Sequence, residues 1–550
     1  MTALPQKNIF LRTAWLTAAL MTIAAIWLHF YFLYHVGGLW RDEVQVVNLA
    51  GRHSLSDMAK DSFPVLMPLL ICGWSTLGLG QNDLSLRLLG VLIGLGIPAA
   101  LWFAAWTARR SPPLLGLALL VLNTTVIFYG DSLRAYGLGS ALIVLTTGTM
   151  WAFLKKTSWL RAGLLAATAI LSVQALYQNA VLLAAVCFGA WVVCWRRKNF
   201  RAAVKIFLAG LAAAASLLPY WKIVMGMPAA AAPLRLGFIP AVVFANLGSA
   251  VAFPLPQYIY VWMLLALAVI GFGIAAVWRG CWAKSAAPAV EISADDLHLF
   301  AAGTMLAGFA GFIGFLWFSA LPTQPWYFLP LITLVAVCFE FGLPPVRRQF
   351  QAAFLGCVIA TALAAVLFAR RDLNYHFTNV NLLAPWLAAE ATPDDLIIVT
   401  PWSYGVSFER YFKGSTPWTT LPPLADHSAH RFDLVRVQMG NTNAIQPVLD
   451  QAAATLQAGH RVWVVGWMSP PAPNSPPPVP LPPPPLKFTG WLDSPYSMAW
   501  AAQTAWFLDN HSLRFERVDH QPNLDLNFYE AMQLFEAGGW RDFATKTNKP

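Results

Sequence analysis

Charge is scarce in this chain: Asp, Glu, Lys and Arg together make up 11% of its 550 residues, against about 25% in an average soluble domain. With 57% hydrophobic residues and a mean hydropathy of +0.55, that scarcity excludes an ordinary soluble protein. Cysteine is sparse too. The six, at positions 72, 187, 194, 281, 338 and 357, lie in or beside apolar runs, with no metal-ligand spacing and none after 357. Neither a disulfide framework nor a zinc site is expected. The chain has no internal repeat, and its C-terminal part has no glycine-rich phosphate loop. The first apolar run is long and lacks a small-residue cleavage site, so it reads as a retained anchor rather than a signal peptide. The net charge of +10 comes from short Lys/Arg clusters between apolar runs, the pattern of cytoplasmic loops and not of nucleic-acid binding.

What the chain has in abundance is apolar runs near the roughly 20 residues that a span requires. Eleven are expected to be transmembrane helices: 10–34, 84–107, 113–129, 135–154, 159–177, 180–195, 202–223, 258–278, 298–320, 326–343 and 350–369. Basic clusters at Lys7/Arg12, Arg109/Arg110, Lys155/Lys156/Arg161, Arg196–Arg201, Arg279/Lys284 and Arg347/Arg348 then fall on one side, the cytoplasm by the positive-inside rule. The opposite side receives 35–83, 130–134, 178–179, 224–257, 321–325 and the region after about 370. One stretch, "FPVLMPLLICGWSTLGLG" at 63–80, has two prolines and would invert every later loop if it spanned. It is expected to be an interfacial or re-entrant helix in the first external loop, 35–83. The preceding "DEVQVVNLAGRHSLSDMAKD" has the spacing of a short surface helix.

Past residue 370 the composition changes. "DLIIVT" (395–400) and "HRVWVVGW" (460–467) read as buried strands, with helical patterns at 381, 444 and 498 around them. The expectation is a membrane module over 1–370 and an extracytoplasmic α/β domain over 371–550 with a largely parallel sheet. "SPPAPNSPPPVPLPPPPL" at 469–486 can enter neither a helix nor an inner strand and reads as a polyproline II excursion.

The few acids nearest the bilayer gather on the external side: Asp42 and Glu43 after the first span, Asp61 before the re-entrant helix, and Asp131 with Arg134 between the third and fourth spans. An ionisable group at membrane depth costs about 2.5–3.5 kcal/mol on insertion scales and marks a substrate path or a partner pair. Each has an ordinary reading beside the functional one. Asp42 is a loop acid or partner of Arg41, or a catalytic carboxylate. Glu43 has the weaker claim, because adjacent helical side chains diverge. Asp131 and Arg134, three apart, either pair with each other or contribute to a site, Arg134 as a guanidinium suited to a lipid phosphate. Lys222 and Arg235 suit the same anion or serve as interface anchors. Tyr136, Tyr177, Gln178 and Asn179 add polar groups at external helix ends, where belt aromatics are the default reading of the tyrosines.

The order of these elements resembles a known superfamily. A first span followed by Asp-Glu, then "DLSLRLLGVLIGLG" (83–96), "YGDSLRAYGLGSAL" (129–142), "ALYQNAVLL" (175–183) and "QPWYFLPLITL" (324–334) is similar to the GT-C glycosyltransferases. Within them the chain looks most like the branch of dolichyl-phosphate-mannose protein mannosyltransferases and bacterial lipid A aminoarabinose transferases, over roughly the first 345 residues. The resemblance implies a GT-C type fold, Asp42 at the position of the family's essential aspartate, and a second external loop building the same pocket. Arg134 and Tyr136 match an "EAR-x-Y" pattern, but Ser132 stands where its glutamate would be and Asp131 lies one residue earlier. The family's His-Pro-Pro element appears as Ser62, Phe63 and Pro64, and Trp326 replaces the arginine before Tyr327 and Pro330.

Such enzymes transfer a sugar from a polyprenyl-phosphate donor to an acceptor hydroxyl at the outer membrane face, the acceptor being a glycan, lipid or protein. The resemblance therefore implies an integral protein of a bacterial inner membrane with its site on the periplasmic side. Asp42 is the expected general base, with Glu43 and Asp131 as further catalytic candidates. Arg134, Lys222, Arg235, Tyr136, Tyr177, Asn179 and Tyr327 are the expected substrate-binding residues. One base acting in direct displacement implies inversion; a retaining scheme would cast Asp131 as the second carboxylate. No DxD appears in the first external loop, so no metal or other cofactor is expected, with a chelator as the test. The rival readings are a transporter or flippase for a lipid-linked sugar, against which the external clustering of charge and the lack of repeats argue, and a polysaccharide polymerase or ligase. A mere anchor for the outer domain would need only one span.

Overall fold

The structure is a computed structural model and describes residues 6–221, 237–282, 292–320, 322–472, 475–484, 492–519 and 524–542. The chain divides into two compact units. A helical unit comprises Met1–Tyr34, His53–Lys222 and Gly237–Asn374; a C-terminal unit comprises His35–Arg52, Ile223–Leu236 and Tyr375–Pro550. The helix after the first span thus groups with the C-terminal unit, and the rest of the expected first external loop with the helical one.

Among the described residues nine helices are long and apolar enough to cross a bilayer: Ile9–His35, Asp83–Arg109, Ala135–Lys155, Gln178–Arg196, Phe200–Tyr220, Tyr258–Gly280, Ala294–Ser319, Pro325–Gly342 and Arg348–Asp372. The chain is a polytopic helical membrane protein. Its first helix shows why. Ala14, Ala18, Met21, Ala25 and Leu28, three and four apart, are buried, whereas Leu16, Leu20, Ile23 and Trp27 are exposed. The inward face is alanine-rich and the outward face consists of large apolar residues, the reverse of the polar outer face of a soluble amphipathic helix and the arrangement that suits lipid.

Two of the eleven expected spans fall short. The run 113–129 breaks into Leu114–Gly116, a π-helical turn Leu117–Val121 and a new helix Thr124–Gly130. Asn123 causes the restart: its side-chain oxygen accepts from the Thr125 N–H at 2.9 Å, capping the new helix. Its amide nitrogen donates to the Ala250 carbonyl at 2.9 Å. The run 159–177 yields Trp159–Ala175, an apolar helix of 17 residues, at the lower end of the roughly 17–25 residues of a span. In the stretch 63–80 the helix is Leu66–Thr76, 11 residues, about 16 Å long and too short to span.

The C-terminal unit holds a five-stranded sheet in the order β2-β1-β3-β5-β4, with β1 Leu396–Thr400, β2 Trp418–Thr420, β3 Arg461–Gly466, β4 Ser512–Arg517 and β5 Gln533–Trp540. β1 and β3 are the two strands expected from the apolar runs. β1 pairs parallel with β2 and β3, but β5 runs antiparallel to β3 and β4. The sheet is therefore mixed rather than largely parallel. The antiparallel half comes from "SLRFER" and "QLFEAGGW", a charged strand and a glycine-containing one that carry no apolar run. Both faces of the central strands are covered, which explains their unbroken apolarity. Ile398, Val462 and Val464 pack with Val448, Ala452, Ala505 and Leu508, and Ile397, Val399, Trp463 and Val465 pack with Leu383, Leu387 and Phe408. The three expected helices are present as Val380–Glu390, Gln446–Gln457 and Ser494–His511. The described part of the proline-rich segment is irregular and is tied to the last of them: Tyr496 Oη donates to the Pro482 carbonyl at 2.6 Å and Trp506 Nε1 to the Ser475 carbonyl at 3.0 Å.

Asp395, just before β1, fastens the two parallel strands. Its carboxylate accepts from the Thr392 N–H (2.9 Å), the Arg461 N–H (2.8 Å), Arg461 Nε (3.2 Å) and Trp463 Nε1 (3.3 Å). Burial opposes its charge, but those donors and the Arg461 cation outweigh it and hold its carboxyl below the ordinary range. The resulting stabilisation is present above about pH 4, the unfolded value, and is lost as pH falls through the depressed folded one. Asp395→Asn is expected to cost about 1–3 kcal/mol at neutral pH. The check is hydrogen exchange in β1 and β3 of the full chain, with the difference from the parent vanishing in acid.

Candidate functional site

In the helical unit, Asp131 follows the Thr124–Gly130 helix and is fully buried. His29, on the first span, meets it: Nδ1 lies 2.7 Å and 2.8 Å from the two carboxylate oxygens. The neighbouring helix Asp83–Arg109 makes room through two glycines one turn apart. A Cβ at Gly90 would sit 1.9 Å from the Asp131 carbonyl oxygen, and one at Gly94 would sit 1.8 Å from Asp131 Oδ1. Only glycine admits this approach. One turn earlier on that helix Arg87 is buried, its guanidinium 5.9 Å from the Phe32 ring centre.

Arg134 turns to a different acid. It stands at the N-terminus of Ala135–Lys155, nearly buried, with Nη1 3.5 Å from Asp61 Oδ1. Its guanidinium lies 4.7 Å from the Phe63 ring centre, a cation–π distance. Phe63 belongs to the element that departs from His-Pro-Pro. Tyr136 packs edge-on against Phe63 at 5.2 Å and stacks with Tyr327 at 5.8 Å, while Trp326 stacks on Tyr129 at 4.3 Å. Asp61, Phe63, Arg134, Tyr136 and Tyr327 thus form one cluster at one end of the bundle.

Tyr177 lies 5.9 Å from Tyr220, whose hydroxyl accepts from the Val65 N–H at 3.3 Å and donates to Gln174 Oε1 at 2.8 Å. Asn179 is buried, and its amide nitrogen donates to the Gly139 carbonyl (2.9 Å) and to Ser172 O and Oγ (3.1 and 3.0 Å). That amide ties three helices together. Lys222 and Arg235 lie outside the described residues.

In the C-terminal unit, the three consecutive charges at the start of the Arg41–Gly51 helix have different surroundings. The Arg41 N–H donates to Glu530 Oε2 at 2.8 Å, and its guanidinium bonds the Tyr529 carbonyl and lies 3.7 Å from Glu530. Glu43 is fully buried and accepts from the Trp40 N–H at 3.3 Å, closing the first turn. Asp42 keeps 27% of its side chain exposed, with Oδ1 3.9 Å from Arg41 Nε and 3.9 Å from His430 Nε2. Among the described residues no group of three or more His, Cys, Asp or Glu is arranged to hold a metal ion.

Neither a protein-family model nor a curated protein sequence matches the chain. Solved structures do. ArnT from Cupriavidus metallidurans bound to undecaprenyl phosphate aligns over 82% of this chain and 93% of its own, at 13% identity and a TM-score of 0.47. The Archaeoglobus fulgidus oligosaccharyltransferase complex with zinc and sulfate aligns over 82% and 67%, at 11% identity and 0.47. The mycobacterial arabinofuranosyltransferase AftD aligns over 98% and 42%, at 14% identity and 0.43.

The residues that sequence reasoning missed are the partners. His29 is a lone imidazole in an apolar run, and that oddity was the available signal. Glu530 and His430 carry none, because their roles arise only through contacts distant in sequence.

Two outcomes are expected. Gly94→Ala costs about 1–3 kcal/mol by driving a methyl group into the His29–Asp131 contact. Gly163→Ala, where a Cβ meets nothing within 4 Å, gains about 0.5–1 kcal/mol; thermal unfolding in detergent compares the two. Glu530 gives the second. Burial raises its carboxyl to about 7, against the pull of Arg41 and the Ser407 hydroxyl. A folded state that holds the proton more tightly than the unfolded chain loses stability as pH rises from about 4 to about 7. Glu530→Gln removes that slope in a pH series of unfolding midpoints.

Proposed function

We propose that the chain is a membrane glycosyltransferase of the GT-C type, moving a hexosyl or pentosyl group from a polyprenyl-phosphate donor to an acceptor hydroxyl on the extracytoplasmic face. By the distribution of basic loops that face is the non-cytoplasmic one, with the C-terminal domain there as well, and the sequence resemblance makes it the periplasmic side of a bacterial inner membrane. The observation that carries the reading is the division of labour at 41–43. Arg41 is bound to Glu530 and Glu43 closes a helix turn, whereas Asp42 retains a partly solvent-open carboxylate at the position the sequence resemblance gives to the essential aspartate.

In the proposed reaction Asp42 accepts the proton of the acceptor hydroxyl as its oxygen attacks the anomeric carbon. The bond from that carbon to the lipid phosphate breaks, and the electron pair leaves with the phosphate. Arg134, held by Asp61 and Phe63, supplies fixed positive charge for the departing anion, and Tyr136 and Tyr327 line the same cluster. One base and direct displacement give inversion. Asp131 has both oxygens on His29, which favours a part in holding the second loop over that of a second catalytic carboxylate.

The test is incubation of the purified protein with a panel of polyprenyl-phosphate sugars and candidate glycan, lipid and peptide acceptors, read by mass spectrometry. Asp42→Asn is expected to lower transfer by about 10²–10⁴-fold while the protein still folds and inserts. Arg134→Lys keeps the charge but loses the planar fork, and raises the donor KM. Full transfer by Asp42→Asn removes the base from the mechanism; carrier translocation without bond cleavage turns the reading to a flippase.

A further inference from the structure

The loop 426–431 is clasped along one face of the Arg41–Gly51 helix. Asp42, Gln45 and Asn48 succeed one another at intervals of three and share that face. Gln45 Oε1 accepts the His430 N–H at 2.9 Å, Asn48 Nδ2 donates to the Ser428 carbonyl at 3.1 Å, and Arg52 Nη2 donates to Ser428 Oγ at 2.7 Å. The loop is braced from within: Asp426 Oδ1 accepts from Ser428 N (2.9 Å) and Oγ (2.6 Å), and Arg431 bridges Asp426 and Asp433 at 2.6 Å each. Burial opposes the Asp426 charge, but these donors prevail and hold its carboxyl at about 2. The brace is therefore ionised at any working pH. It brings the His430 imidazole to 3.9 Å from Asp42 Oδ1. The ring is itself confined, edge-on to Trp402 at 6.0 Å and beside Phe432 at 5.9 Å.

We propose that His430 is a positioning residue for the Asp42 carboxylate, an inference that rests on the sugar-transfer reading. Arg41 Nε and His430 Nε2 approach the same oxygen from two segments nearly 400 residues apart. At 3.9 Å each is longer than a hydrogen bond, and the two nitrogens act electrostatically: flanking one oxygen from two directions, they bias the rotation of the carboxylate and so the orientation in which its basic lone pair meets an acceptor hydroxyl. Such pre-orientation acts on the chemical step and not on donor affinity. His430 gains no proton in the reaction: the acceptor proton goes to Asp42, and the electron pair of the broken anomeric bond goes to the phosphate.

The full-length protein in detergent, supplied with the active donor of the panel, gives the test. His430→Ala is expected to lower kcat by about 10–100-fold with the donor KM unchanged within about twofold. His430→Gln, whose amide nitrogen can reach the same oxygen, is expected to recover most of the loss. An unchanged kcat in His430→Ala overturns the inference. So does a joint change of kcat and KM that His430→Gln fails to rescue, which would mean that the loop has only a structural role. Wild-type protein silent with every donor overturns the sugar-transfer reading instead. The pairing is then decided by the ring ¹⁵N resonances of His430, identified by their loss in His430→Gln. They shift in Asp42→Asn if the two groups are coupled, and resonances that stay in place refute the coupling.

Discussion

A charge taken out of water must find a partner, and in a chain this apolar that requirement organises the structure. A buried ion without compensation costs several kcal/mol, a large fraction of the whole stability of a typical domain. Three buried or nearly buried pairs meet it: His29 with Asp131, Asp61 with Arg134, and Arg41 with Glu530. Each joins segments far apart in sequence. The first fixes the turn between two helices to the opening span, the second fixes the start of a helix to the segment before Leu66–Thr76, and the third fastens the Arg41–Gly51 helix within the C-terminal unit. The few charges therefore specify which segments meet, a task that apolar surfaces perform poorly in lipid because every neighbour is equally oily.

The same physics decides what could be read from the sequence. Long apolar runs declare themselves because lipid demands about 20 residues with every backbone group bonded internally. All but two of the expected runs form such helices. The two exceptions have local causes: Asn123 offers its own hydrogen bonds to the backbone and restarts the helix, and the helix of the 159–177 run closes two residues early at Ala175. In the C-terminal unit, β1 and β3 were legible because both of their faces are buried. β4 and β5 were not: β4 is an edge strand of alternating charge, and the inner β5 carries a glutamate and two glycines in place of an apolar run.

The candidate site divides similarly. That Asp42, Asp131 and Arg134 are unusual follows from composition, because ionisable groups beside spans are costly. Their pairings do not follow. Asp131 and Arg134 are spaced to meet each other, yet each has a more distant partner, because Gly90 and Gly94 open a notch that draws Asp131 toward His29. A glycine pair one turn apart reads in sequence as a generic helix-packing signal. Its use as a seat for a carboxylate depends on a residue 37 positions downstream of Gly94.

The start of the Arg41–Gly51 helix shows how a structural choice sets a chemical one. Adjacent side chains on a helix point about 100° apart, so Asp42 and Glu43 cannot face the same neighbour. Glu43 sits three residues after Trp40, the spacing at which a carboxylate reaches back to an N-terminal N–H, and it does so at 3.3 Å. That bond turns Glu43 back onto its own helix start, while the face bearing Asp42, Gln45 and Asn48 meets the loop containing His430. Under the sugar-transfer proposal, the identity of the base is thus decided by which acid the helix start consumes, and the neighbour that looks redundant in the sequence is what leaves Asp42 to meet the acceptor.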